Sequence, residues 1–184
     1  RAGSGDGPVS APASADRSVR PAQRGDEAAI AGLQLASWRA LMGEETLAAQ
    51  GVSEESLARL WGRTLARPRP AGGTTLVALH GARIVGFALA GPDDAAVGCE
   101  PETDREGATQ VYELVVDEDF RRCGHGSRML SAIADLTRGQ LRAWIGDSDE
   151  QRQRFFTSAG FAPSGAVRRL GEGTTQHMWW AHRD

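Results

Sequence analysis

Val115-Val116-Asp117-Glu118-Asp119-Phe120-Arg121-Arg122-Cys123-Gly124-His125-Gly126-Ser127 is the stretch on which the fold turns. It starts inside Gln110 to Val116, an apolar, β-branched run of the kind that forms a buried central strand. It ends where a helix begins, with Met129, Ile133 and Leu136 at i, i+4 and i+7 and Leu130 beside them. Between the two lies a tight turn in which Gly124 and Gly126 stand two apart. A strand running through such a turn into a helix aims consecutive backbone N–H groups, and the positive end of the helix dipole, at one point. That is a cradle for an anion. Glycine lets a phosphate approach the main chain with no Cβ in the way, and Arg121 and Arg122 add positive charge for a pyrophosphate or a ribose phosphate. Taken alone, G-x-G is equally a plain turn between a strand and a helix. Two nucleotide motifs do not fit: a P-loop needs G-x-x-x-x-G-K-S/T, and no lysine stands at the required place. The dinucleotide fingerprint needs a third glycine where the chain has Met129.

Outward from this stretch the chain alternates strand and helix patterns. Val19-Arg20-Pro21-Ala22 reads as a short edge strand, because Pro21 confines it to a strand end. Asp26 is the expected N-cap of a first helix with Ile30, Leu33, Trp38 and Leu41 on its apolar face. Ser53 caps a second helix, to about Ala66, carrying Leu57, Leu60, Trp61 and Leu65. Thr74 to Leu79 and Ile84 to Ala90 form a hairpin around His80-Gly81-Ala82-Arg83. Gly91 to Asp94 ends it, and a polar loop leads to Thr109. After the central strand and its helix (Gly124 to Arg138) come a short strand, Leu141 to Ile145, and a helix, Asp149 to Ala159, closed by Gly160. Phe161 to Leu170 and Thr174 to Ala181 are the last strands. The order β-α-α-β-β-β-α-β-α-β-β predicts a mixed α/β sheet with helices on both faces.

Composition removes several function classes. The 21 basic and 24 acidic residues give a net charge of −3 over 184 residues, which argues against a protein that lives on nucleic-acid phosphates. No apolar run approaches the roughly 20 residues that span a bilayer. Cys99 and Cys123 are the two cysteines, too few for a disulfide scaffold and without partners at zinc-site spacing. They point to free thiols, a reducing cytoplasm and no metal. Residues 1–17, rich in Gly, Ala, Ser and Pro, cannot offset their ordering entropy by burial and read as a disordered leader. Residues 18–184 read as one domain.

The motifs together resemble the GNAT superfamily of acyl-CoA-dependent N-acyltransferases. Arg121 to Gly126 is similar to its Q/R-x-x-G-x-G/A signature, and Phe155-Phe156-Thr157-Ser158-Ala159-Gly160-Phe161 to its F-Y-x-x-x-G-F box. Ile84-Val85-Gly86-Phe87 resembles its I-V-G-F strand. Val19 to Ala22 with Asp26 resembles its opening, and Ser37-Trp38 a helix-one pair of some branches. The likeness covers roughly residues 18–181 in the family's order. It implies a mostly antiparallel sheet whose one central parallel strand pair splays apart. It also implies acetyl-CoA, or another acyl-CoA, as donor. The pyrophosphate would rest on Arg121, Arg122, Cys123, Gly124, His125, Gly126 and Ser127, and the pantetheine arm would run along Val115 and Val116. The N–H of Val116 becomes the candidate oxyanion donor, and Glu113 the candidate general base for the acceptor amine. A Glu113 facing solvent, or paired with an arginine, is the plainer alternative.

Two departures from the family stand out. Phe156 occupies the position of a tyrosine that relatives use to protonate the departing thiolate, so water, Ser158 or Tyr112 would have to act there, or no acid at all. Asp149 stands where the family has an asparagine facing the pantetheine, and an ionised Asp accepts but does not donate. Trp38 and His177 are the candidate acceptor-side residues. The resemblance implies a small-molecule or peptide amine as acceptor and allows a homodimer. A second function class stays open: a module that binds acyl-CoA as a sensor and does little chemistry.

Overall fold

The computed structural model describes residues 16–93, 108–137, 139–170 and 173–183. The strands are β1 (Arg17–Pro21), β2 (Thr74–His80), β3 (Arg83–Pro92), β4 (Thr109–Val116), β5 (Gly139–Gly146), β6 (Ala162–Leu170) and β7 (Thr174–Arg183). The helices are α1 (Glu27–Met42), α2 (Glu44–Ala49), α3 (Glu54–Ala66), α4 (His125–Leu136) and α5 (Glu150–Ser158), with a 3-10 turn at Glu118–Phe120. All seven strands form one sheet in the order β1-β2-β3-β4-β5-β7-β6. Every neighbouring pair is antiparallel except β4 and β5. This is the mixed sheet expected, with α2 added between the first two expected helices. Most of the expected leader and most of the polar loop after β3, including Cys99, lie outside the described residues. Arg17 belongs to β1.

The parallel pair is what makes a site possible. β4 and β5 are in register only at Thr109 with Leu141 and Gln110 with Arg142, and beyond these the strands part. The parting follows an irregularity in β4: Leu89 of β3 faces Glu113 and Ala90 faces Val111, so Tyr112 is the extra residue of a bulge. A bulge bends its strand and sharpens the local twist. It also resets side-chain parity, which explains why Val111 and Leu114, three residues apart, share one core cluster.

The sheet has a core on each face. On one, α4 and α5 contribute Met129, Leu130, Ile133 and Phe156 against Leu76, Ala88, Leu114 and Ile145. On the other, α1 and α3 lay Ile30, Leu35, Leu57 and Trp61 over Val77, Phe87 and Val115. The apolar face of α1 is rotated from the one expected, since Leu41 is 67% exposed whereas Ala31, Gln34 and Leu35 are buried. Leu60 of α3 is likewise exposed. Spacing finds a helical stripe but does not fix its edges when α1 bears on α3 as well as on the sheet.

Candidate active site

The turn from the end of β4 to α4 has the shape of a cradle. Gly124 is left-handed (φ 82°) and is the N-cap of α4, and Arg122 also has positive φ (60°). From Arg122 to Ser127 no backbone N–H donates to a protein acceptor among the described residues; the ladder resumes at Arg128, whose N–H reaches the Gly124 carbonyl at 3.0 Å. Six successive donors are thus left around one bend without a protein partner, open to water or to an anion. A Cβ on Gly126 would stand 3.3 Å from the Phe155 ring, so glycine lets α4 lie close to α5. Arg17 of β1 holds the turn from below through its bond to the Cys123 carbonyl (2.7 Å).

The expected cradle residues are distributed unevenly about the bend. Arg121 and Arg122 are exposed, and Arg121 also reaches back to Glu118 (3.3 Å) and to the Val116 carbonyl (3.5 Å). His125 points inward: its ring is buried, 3.4 Å from the His80 ring nitrogen and packed near Phe120. Burial, then the nearby charges of His80, Arg17 and Arg128, push the His125 pKa down. Its share in anion binding is therefore limited to its backbone N–H. Cys123 is a free, half-buried thiol.

Val116 and Glu113 both border the gap. The Asp117 N–H bonds the Val85 carbonyl at 2.8 Å; since antiparallel ladder bonds alternate, Val115 turns its N–H to β3 while Val116 turns its own away, toward the parted β5. Glu113 lies on the α1 side. Its Oε1 accepts from the Trp38 indole (3.1 Å) and from the Gln34 amide (3.4 Å), and the Gln34 carbonyl oxygen accepts from Trp61 (2.8 Å). Oε2 accepts nothing among the described residues. Trp38 and Glu113, read separately in the sequence, are thus in direct contact. Gln34 and Trp61 were not anticipated as parts of a site, although a polar residue between Ile30 and Trp38 on the buried stripe of a helix is the signal that could have marked Gln34.

The other expected residues lie farther from Glu113 or serve the scaffold. Asp149 caps α5, accepting from the Arg152 N–H at 3.0 Å. Phe156 is fully buried between Phe155 and Phe161. His177 is opposite Ile145 on β5 and Val167 on β6, on the α5 face of the sheet rather than the α1 face that carries Glu113. The hydroxyls considered in place of a tyrosine are both engaged: Tyr112 donates to the Pro92 carbonyl (2.6 Å) and Ser158 to the Phe155 carbonyl (2.7 Å). A groove of about 360 Å³ between α4 and α5, lined by Ser127, Leu130, Ser131, Ala159 and Phe161, continues from the cradle. A more open depression on the outer side of α5, lined by Glu150, Gln153, Arg154 and Thr157, shares Ser158 with this groove. No group of three or more metal-ligating side chains occurs among the described residues.

A sheet with one splayed parallel pair, and a strand–cradle–helix beside the splay, define an acyltransferase architecture. The chain belongs to the GNAT acetyltransferase family, whose model matches residues 35–161, and it is an N-acetyltransferase. No curated protein matches the sequence. Solved structures share the fold at low identity. One is a GNAT acetyltransferase from Bacillus cereus (17% identity, TM-score 0.64, covering 91% of this chain and 97% of that one). Another is a ribosomal-protein-alanine N-acetyltransferase from Brucella melitensis (19%, 0.66, 90% and 99%). A third is yncA from Salmonella typhimurium with its cofactor acetyl-CoA (17%, 0.60, 92% and 95%). GNAT acetyltransferases use acetyl-CoA and act on small-molecule or peptide acceptors. Among the described residues no helix is long and apolar enough to cross a membrane.

Proposed function

We propose that the protein transfers an acetyl group from acetyl-CoA to a primary amine by direct attack in a ternary complex. The observation that carries this reading is the row of unpaired N–H groups from Arg122 to Ser127 opening beside the gap between β4 and β5. The donor set suits a pyrophosphate: uncharged backbone donors inside the bend, with the Arg121 and Arg122 guanidinium groups at its rim. Acetyl-CoA bound there supplies an acyl group activated as a thioester. The Val116 N–H would donate to the acyl oxygen as negative charge builds on it, a contact contributing about 3 kcal/mol in well-characterised sites. Holding the amine and the acyl carbon together can contribute roughly 7–11 kcal/mol more.

Glu113 is the base in this reading. An ammonium has no lone pair, so the acceptor must lose a proton before attack, and Oε2 is the oxygen left free to take it. Trp38 and Gln34 fix the carboxylate through Oε1, and Trp38 walls the acceptor side. Asp149 sets the start of α5, and Phe156 packs beneath it. Cys99 and Cys123 are free thiols of a cytoplasmic enzyme in this reading; light scattering would report whether it is a homodimer.

The test is CoA release across polyamines, aminoglycosides, amino acids and peptide N-termini, with acetyl-CoA binding measured by calorimetry. Amine-dependent release is expected. The absence of a hydroxyl at Phe156 favours a second reading, an acyl-CoA sensor. Tight binding without amine-dependent turnover, unaffected by Glu113→Gln, would establish the sensor instead.

A further inference from the structure

One step of this chemistry has no group assigned to it. Glu113 takes the ammonium proton before attack; as the freed nitrogen forms its bond to the acyl carbon, the carbon–sulfur bond breaks, its electron pair leaves on sulfur, and the second proton shed by the nitrogen passes to solvent. The sulfur then needs a proton or a positive charge beside it. The Tyr112 and Ser158 hydroxyls are bonded elsewhere, and Phe156 has none.

Arg152 stands in the first turn of α5, one helical turn before Phe156 and on the same face; its guanidinium carbon lies 5.9 Å from the Phe156 ring centre. The side chain is half-buried, and among the described residues its guanidinium donates no hydrogen bond and forms no ion pair. The charges that oppose it are Glu113, across the gap, and Asp149 at the head of its own helix. Burial nevertheless pushes the guanidinium below its ordinary pKa, outweighing the pull of those two carboxylates. An arriving anion would satisfy it. Glu113 is held from the α1 side, so an amine at Oε2 approaches the acyl carbon from that side. The leaving sulfur, on another corner of the same carbon, would lie toward α5.

Resting on the acetyl-CoA reading, we infer that Arg152 is a further catalytic residue, whose guanidinium stabilises the departing CoA thiolate by charge where Phe156 has no proton to donate. The probe is reduced CoA bound to the full chain, with its thiolate absorbance followed as pH is raised and its affinity measured in the same samples. In the wild type the bound thiol should titrate about one unit or more below the ordinary thiol value of roughly 8.5. Arg152→Met should return it to the free value and lower kcat about ten-fold or more. Arg152→Lys, which keeps the charge, should retain part of the shift, and it also serves if the methionine variant does not fold. Failure of the wild type to bind CoA would overturn the acetyl-CoA reading itself. Binding with an unshifted thiol would overturn the role of Arg152 alone. An unchanged thiol titration in Arg152→Met, with a raised KM for acceptors bearing a carboxylate, would also overturn it and make the guanidinium an acceptor contact.

Discussion

At Glu113 a single carboxylate oxygen accepts both the Trp38 and the Gln34 N–H groups, so Glu113→Gln is a narrow test. The amide carbonyl can keep both bonds while losing the capacity to take a proton. We expect kcat to fall about 100-fold or more, within the usual range for a lost general base. The defect should shrink as pH rises and more acceptor is already a free amine; a pH–rate profile parallel to the wild type would remove Glu113 from the mechanism. The cradle glycines fail in different ways. Gly124→Ala forces a Cβ into left-handed backbone, at a cost of about 1–2 kcal/mol that thermal melts can read. Gly126→Val drives its side chain against Phe155 and should weaken CoA binding about ten-fold or more by calorimetry. Unchanged affinity would count against the cradle. At this scale the sequence offered both glycines through a local pattern, and Glu113 and Trp38 through the family resemblance. Gln34 is marked locally only as a polar residue on a buried stripe and Arg152 by nothing, and both acquire meaning from what α1 and α5 place across from them.

Elements join through contacts that local rules misassign. Asp26 precedes α1, as an N-cap should, yet its side chain caps nothing. Its carboxylate instead takes two bonds from Arg20 of β1, at 2.7 and 2.9 Å, and ties that edge strand to the helix. The charged Arg20, together with the Gln23 N–H (2.9 Å), holds the carboxylate in place of the first-turn N–H groups of α1, and charge-assisted bonds are about twice as strong as neutral ones. Asp26→Asn should cost about 1.5–3 kcal/mol in denaturant unfolding. The guanidinium of Arg20 holds the Asp26 carboxyl below the usual range. The stabilisation is therefore present above roughly pH 3.9, the unfolded value, and lost as pH falls through the lower folded one. His125 works in the same direction at higher pH. Its folded pKa is depressed by burial, so the unfolded chain gains a proton near pH 6.5 while the folded one does not. Melting temperature should drop as pH is lowered from about 7 to about 5.5, and His125→Phe should flatten that slope. An equal slope in the variant would remove His125 as the cause.

Across the molecule, the N-terminal strand supports the cofactor side of the sheet. Removing residues 1–15, whose composition offers little to bury, should leave melting temperature and CoA affinity unchanged. Removing Arg17 as well takes away the guanidinium bonded to the Cys123 carbonyl, and CoA affinity should then fall. A loss already present in the shorter deletion would show that the leader has a role in binding. Strand identity, helix identity and the cradle were legible in the chain because they depend on near neighbours: two-residue alternation, a helical stripe, and glycines where backbone must turn or be approached. Only the assembled sheet decided where the site would lie. The bulge at Tyr112 resets the facing of β4, the β4–β5 ladder stops after two pairs, and side chains up to 79 residues apart in sequence meet at Glu113. Those contacts are fixed by how the strands twist and which helix covers which face, quantities set by packing across the whole fold rather than by any window of sequence.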